Sequence, residues 1–509
     1  MKAFFYLFII TSLSQSLTIV NDESKNIEFE IPSGDVSTII FRGTGILNKT
    51  IAKEAQNKKK IIIEEGITEI ENKAFYQSPL KLKDEEFIYE EIELPRSLKR
   101  IGDLAFKTQG HELIRVHFPD YNEGNSYDNI NESELEKFYS LREIGDYAFS
   151  GQKLTEHNIP PTFTLLGKNS FEFCLFQSIK LNSKIQTIEN YAFHFCQNLK
   201  EITLPSLVTR VSISSFENCR SLQSVSWLSE KVELFGYNAF YGCSSLEDFI
   251  FPKVGSGFYS CGYFFHNCYS LKRCIFPKQI KDGNIGRGTF LNCKNLKEVY
   301  LPENIHQIPQ DFFRNSSIEY AYLPINVNII GFNAFRDCQK LKFVHFQHQG
   351  TITIDTNVFI GSNNIEVAVI EGNITRIDEH LMEVKTFCYM GIENPTIEEG
   401  SFDSSKTNLY LTKRFEETNP NVKFGNNTNF EGYSYHIQQS GTCNLPKIYT
   451  EFDDNNKKDK TISTLTIVLI VVCILAFLSI VAMIIVIIYV KKRRNGQEIE
   501  DQNSISENI

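Results

Sequence analysis

Residues 188–205 read Ile188-Glu-Asn-Tyr-Ala-Phe193-His-Phe-Cys196-Gln-Asn-Leu199-Lys-Glu-Ile202-Thr-Leu204-Pro205. The first half recurs along the chain as a hexapeptide closed by an aromatic anchor. Ile70-Glu-Asn-Lys-Ala-Phe75, Ile101-Gly-Asp-Leu-Ala-Phe106 and Ile144-Gly-Asp-Tyr-Ala-Phe149 precede it. Phe171, Phe216, Phe240, Phe265, Phe290, Phe313, Phe335, Phe359, a degenerate Met382 and Phe402 complete the series, 14 copies in all. From Phe149 to Met382 the anchors are 22 to 25 residues apart, a period that signals a stacked repeat. The two earlier spacings, 31 and 43, place extra loops around residues 77–87 and 120–140.

The second half is equally regular: Leu199-Lys-Glu-Ile202-Thr-Leu204-Pro205, Leu296-Lys-Glu-Val299-Tyr-Leu301-Pro302 and Ile318-Glu-Tyr-Ala321-Tyr-Leu323-Pro324. The alternation of Ile202 with Leu204 has period two and marks a strand with one buried face. Proline has no N–H to give a ladder, so it ends the strand. A unit of about 23 residues with one short strand cannot bury its apolar side chains alone, and stacking copies solves this. The expected fold is an α/β leucine-rich-repeat solenoid of about 14 repeats. Each repeat carries one short parallel strand, with coil or short helical turns on the convex side. Strand spacing across that array gives an arc roughly 65 Å long.

The ends suggest export. Residues 1–16 carry Lys2 and an apolar run from Phe4 to Ile10, as a signal peptide does. Leu465 to Val490 holds 26 residues without a charge, enough for one transmembrane helix, and Lys491, Lys492, Arg493 and Arg494 follow directly. The expected layout is a signal peptide (1–16), an N-terminal cap (17–60), the solenoid (61–402), a C-terminal cap (403–443), a polar stalk (444–461), the span (465–490) and a cytoplasmic tail (491–509). That topology puts the ectodomain outside the plasma membrane. Sequons at Asn48, Asn131, Asn315, Asn373 and Asn426 all precede the span, where glycosylation is available.

Composition excludes some functions. The chain has 509 residues with 42% apolar, so it has material for a core. Lys+Arg is 52 against Asp+Glu 62, a net charge of -10, which argues against a nucleic-acid binder. Phe is common at 41, against 4 Met and 1 Trp, which fits one aromatic used repeatedly in one role. No zincin, nucleophile-elbow or phosphate-loop motif occurs, and no enzyme activity or cofactor is expected.

Of the twelve cysteines, seven follow the repeat. Cys174, Cys196, Cys219, Cys243, Cys268, Cys293 and Cys338 each sit three residues after an anchor and are expected to fill one small slot as buried thiols. Cys261, His266, Cys268 and Cys274 have a metal-like spacing, but Cys268 belongs to the slot and Cys274 to an inward strand position, so no metal is expected. Cys388 and Cys443 lie outside the slot, and a disulfide between them is expected to close the cap.

Ile330-Gly-Phe-Asn-Ala-Phe335-Arg-Asp-Cys338-Gln-Lys-Leu341 and the stretch 188–199 resemble the BspA-like class of leucine-rich repeats. The resemblance covers about Ile61 to Phe402. With the signal, span and short tail it looks like the BspA-like surface antigens of parasitic protists. It implies a surface protein with an adhesive role, since bacterial members are associated with binding host matrix proteins and other microbes. It transfers no catalytic or ligand-contact residue.

Strand parity puts the residues before and after each central inward position on the concave sheet. Glu91, Glu93, Arg115 and His117 lie on that face near the N-terminus. Towards the C-terminus the row becomes Tyr300, Tyr320, Tyr322, Phe343 and His345, the kind of surface that marks an interface. The reading is a non-enzymatic type I surface protein that adheres to a host-cell, matrix or microbial surface protein through this row. The alternatives are an endocytic or signalling receptor acting through the tail, or a coat protein without a dedicated ligand.

Overall fold

The structure is a computed structural model. It describes residues 27–55, 58–76, 90–107, 115–119, 131–152, 154, 159–230, 232–252, 259–260, 262–278, 280, 285–377, 384–397, 407–420 and 436–438. The chain winds into a parallel β-solenoid. The L-x-x-I-x-L segments form parallel ladders in successive sheets, seen in Glu201–Leu204 beside Ser224–Trp227 and in Tyr320–Leu323, Phe343–Phe346 and Val367–Ile370. The pairing is in register: Ile202 faces Val225, and Ala321 faces Val344 and then Ala368. Period-two alternation buries Ile202 and Leu204 and leaves Glu201 and Thr203 in water.

Most turns contribute a second strand, which corrects the expectation of one. Thr187–Ile188, Arg210–Val211, Leu234–Phe235 and Tyr259–Ser260 form a separate parallel ladder just ahead of the anchors. A strand of two residues contains no periodicity, so pattern reading has nothing to detect. The parallel rungs also begin earlier than residue 61. Thr38–Gly43 pairs parallel with Lys60–Ile63, while Ile27–Glu30 adds antiparallel at the edge. At the other end Asn408–Thr412 and His436–Gln438 extend the ladder into the expected cap. The loop expected around 120–140 contains a helix, Glu132–Phe138, which Asn131 caps by accepting from the Ser133 N–H and which buries Leu135.

Twelve anchors form a continuous aromatic column from Phe75 to Phe359, and the other two, Met382 and Phe402, lie outside the described residues. Successive rings are near-parallel, as in Phe193–Phe216 at 5.3 Å and Phe216–Phe240 at 5.2 Å. The offset-stacked geometry follows from identical rotamers repeated each turn.

The cysteine slot is not merely apolar. The Cys196 thiol donates to the Phe171 carbonyl at 3.0 Å, and Cys219, Cys243, Cys268, Cys293 and Cys338 repeat that bond to the preceding anchor. Ser362 makes it to Phe335 with a hydroxyl, and Gln152 to Phe106 with an amide. The slot therefore needs a small donor for a buried carbonyl, and thiol, hydroxyl and amide all supply one. All seven slot cysteines, and Cys274, are free and buried. Burial pushes their thiols up, Cys338 to about 12, so they stay protonated and chemically inert.

Each described anchor also follows a left-handed residue two positions earlier, with φ from 52° to 61°. Asn169, Asn238 and Asn333 accept this cheaply, but Lys73, Leu104, Tyr147 and Tyr191 do so at a cost. The Ile-Gly step before the turn has a different cause. A Cβ on Gly102 would come within 2.6 Å of the Asn72 backbone nitrogen, so the neighbouring turn leaves no room for one. Replacing exposed Lys73, at φ 61°, by Asn should therefore stabilise the protein by up to about 1 kcal/mol. A higher urea midpoint at unchanged m would show it.

Candidate binding face

The outward face of the longer-strand ladder is built by parity, and its character changes along the array. Near the N-terminus it is an ion-pair lattice in which Lys60 lies 2.5 Å from Glu93 and 3.5 Å from Glu91. The middle rungs present Glu201, Thr203, Ser224, Ser226 and Asp248 to solvent. Two apolar side chains break this polar run: Ile250 is 53% exposed and Tyr300 is 45% exposed. Ile275 lies in register between them, half-buried, and Arg273 on the same rung pairs with Asp248 at 3.2 Å.

Of the five residues expected to form the binding row, Tyr300 alone is open. Tyr320 and Tyr322 are half-buried. His345 holds its Nε2 2.8 Å from a Glu371 carboxylate oxygen. Phe343 is fully buried, which corrects its placement as an exposed contact. It lies in register between Tyr320 and Val367, and its ring is 5.0 Å from that of Tyr322. Val367 and Val369 on the next rung are buried as well. Parity gave the direction of these side chains correctly, but direction alone does not set exposure. The exposed partner of Tyr300 is Ile250, which belongs to the same outward row.

Cys388 is buried on this face, in register with Val369, and is disulfide-bonded. The eight other described cysteines are free, so its partner lies outside the described residues, as does the expected partner Cys443. The His266, Cys268 and Cys274 set does not converge. Cys268 turns to the Phe240 carbonyl, and burial lowers the His266 pKa and keeps the ring neutral.

The sequons sit in distinct surroundings. Asn131 is exposed. Asn48 caps the helix Lys49–Ala52 by accepting from the Ile51 N–H at 3.0 Å. Asn373 accepts from the Ile392 N–H at 2.7 Å. Asn315 belongs to an amide ladder: its Nδ2 donates to Asn292 at 2.7 Å, and Asn292 donates to Asn267 at 2.9 Å. Asn426 lies outside the described residues. So does the expected span at 465–490; among the described residues no helix is long and apolar enough to cross a membrane.

A repeated strand, a stacked phenylalanine column and a slot that binds the preceding carbonyl together define a leucine-rich-repeat solenoid. The BspA type leucine-rich repeat region matches in six copies, over residues 37–121, 123–247 and 261–392. The chain belongs to that family. No curated protein matches it. Among solved structures it is similar to a leucine-rich repeat protein from Bacteroides ovatus, at 18% identity and a TM-score of 0.44, covering 85% of this chain and 100% of that one. A leucine-rich cell surface protein from Faecalibacterium prausnitzii is 17% identical with a TM-score of 0.37, covering 73% and 94%. The pneumococcal vaccine antigen PcpA is 15% identical with a TM-score of 0.30, covering 83% and 99%.

Proposed function

We propose that this is a non-enzymatic cell-surface protein whose solenoid recognises a protein on host cells, matrix or microbes, and that its role is adhesion. One observation carries the reading: the open stretch of outward face in which Ile250 and Tyr300 stand exposed, with half-buried Ile275 in register between them and Asp248, Arg273 and Glu298 alongside. Apolar and aromatic anchors inside a polar surround are the usual centre of a protein interface. The sequence supports surface placement through residues 1–16 and 465–490.

The test displays the full chain on cells and measures saturable attachment to host cells and matrix proteins, with soluble protein as competitor. Ile250→Ser with Tyr300→Ser should weaken attachment at least about tenfold, on the scale of two lost anchors. Surface abundance and the folded state should be kept, because both side chains are already about half exposed. Undiminished attachment by the well-displayed double variant would refute the assignment of this stretch.

A further inference from the structure

The N-terminal rungs bring three ligand-type side chains together. Glu91 and Glu93 are two residues apart on the strand Glu91–Glu93 and therefore point the same way. His117 is directly opposite Glu93 on the next rung. Its Nε2 lies 3.0 Å from a Glu91 oxygen and 3.7 Å from a Glu93 oxygen. One ligand atom from each residue falls within 4.8 Å of the others, and among the described residues this is the group that meets the requirement.

The separations suit a particular ion. Four ligands at about 2.0–2.1 Å around tetrahedral zinc stand about 3.3 Å from one another. The two imidazole–carboxylate distances bracket that value. His117 Nε2 is also screened from water with no hydrogen bond aligned on it, although a carboxylate oxygen is only 3.0 Å away. A ring nitrogen and a carboxylate oxygen that close either share a proton or share a cation, and the spacing suits both. The cluster already holds a cation in the form of the Lys60 ammonium, seated between the two carboxylates. Lys60 is one-third exposed on a flexible stem, so it has a route out into solvent.

We propose that Glu91, Glu93 and His117 bind one divalent transition-metal ion of the zinc class, which displaces the Lys60 ammonium and keeps its fourth position open to water on the outward face. Nitrogen with two carboxylate oxygens is a donor set that zinc accepts, and an open position distinguishes such a site from a closed structural one. The site lies on rungs nearer the N-terminus than Ile250 and Tyr300 and does not depend on them.

The experiment uses the full chain, stripped with chelator, titrated with Zn²⁺ by calorimetry and with Co²⁺ by absorption. One equivalent of each should bind. His117→Ala should weaken binding by more than about 100-fold, beyond the effect of losing a supporting contact. Lys60→Met should strengthen it about tenfold, because it removes a like charge a few ångströms from the ion. Lys60 and His117 are both partly exposed, so both variants should fold as the parent does, which thermal melts without metal check. Absence of binding, binding indifferent to His117→Ala, or an unchanged affinity in Lys60→Met would each overturn the proposal. Intense thiolate-to-cobalt bands would place the metal on cysteines and overturn it as well.

Discussion

Replacing Phe193 by alanine should cost about 3–5 kcal/mol, the largest loss expected from any single change in the array. Phe193 is fully buried between Phe171 at 5.7 Å and Phe216 at 5.3 Å. Truncation removes two stacking partners and leaves a void that a rigid stack cannot close. The consequence is more than local. Each repeat contacts only its neighbours, so stability is a sum of nearest-neighbour terms, and a weak interface divides the array into two blocks. Urea unfolding of the Phe193→Ala protein should therefore show a broadened or two-step transition. A single sharp transition with a loss under about 1 kcal/mol would mean that the column is not what holds the turns together.

The second large effect separates two roles of one cysteine. Cys219 fills space and donates to the Phe193 carbonyl at 3.1 Å. Valine is apolar and fills similar space, yet Cys219→Val should lose about 1–3 kcal/mol because a buried carbonyl is left without a donor. Serine is smaller and more polar, yet Cys219→Ser should cost less, because the hydroxyl keeps the bond. The protein contains its own precedent: Ser362 occupies the equivalent place and donates to the Phe335 carbonyl at 2.6 Å. Thermal melts of the two variants decide the matter. The reverse order, valine milder than serine, would make the slot a packing feature only.

Much of the fold was legible because the repeat imposes one environment many times. The anchors and the buried cysteines announce themselves by recurrence, and Ile202 and Leu204 by parity. The two-residue strands were not legible, since Thr187–Ile188 is too short to carry a pattern. Nor were the left-handed positions, because Tyr191 and Leu104 give no hint of a backbone that asparagine would prefer. The binding row was readable as a direction but not as a surface. Phe343 points outward yet is buried by neighbours on adjoining rungs, a property no single strand contains. The cluster around His117 shows the same limit. Glu91, Glu93 and His117 were all visible as outward residues, but the diagonal contact between Glu91 and His117 needs the rungs side by side.

The slot bond also gives the array a sense of direction. In most described turns the anchor carbonyl accepts from the slot residue of the turn after it, as Phe171 does from Cys196; Ser316 instead meets the Cys338 thiol at 3.6 Å. The anchor N–H is answered from the same side, for Phe171 donates to the Ala192 carbonyl. Each turn is thus completed by its successor. Shortening the chain from its C-terminal side leaves an anchor with both peptide groups unanswered, whereas shortening it from the N-terminal side leaves the slot thiol and rung N–H donors unanswered, as Ser212 would be without the Ile188 carbonyl. The two ends of the solenoid are therefore chemically unequal: the last turn must answer the peptide groups of an anchor, and the first must answer rung N–H donors such as that of Ser212.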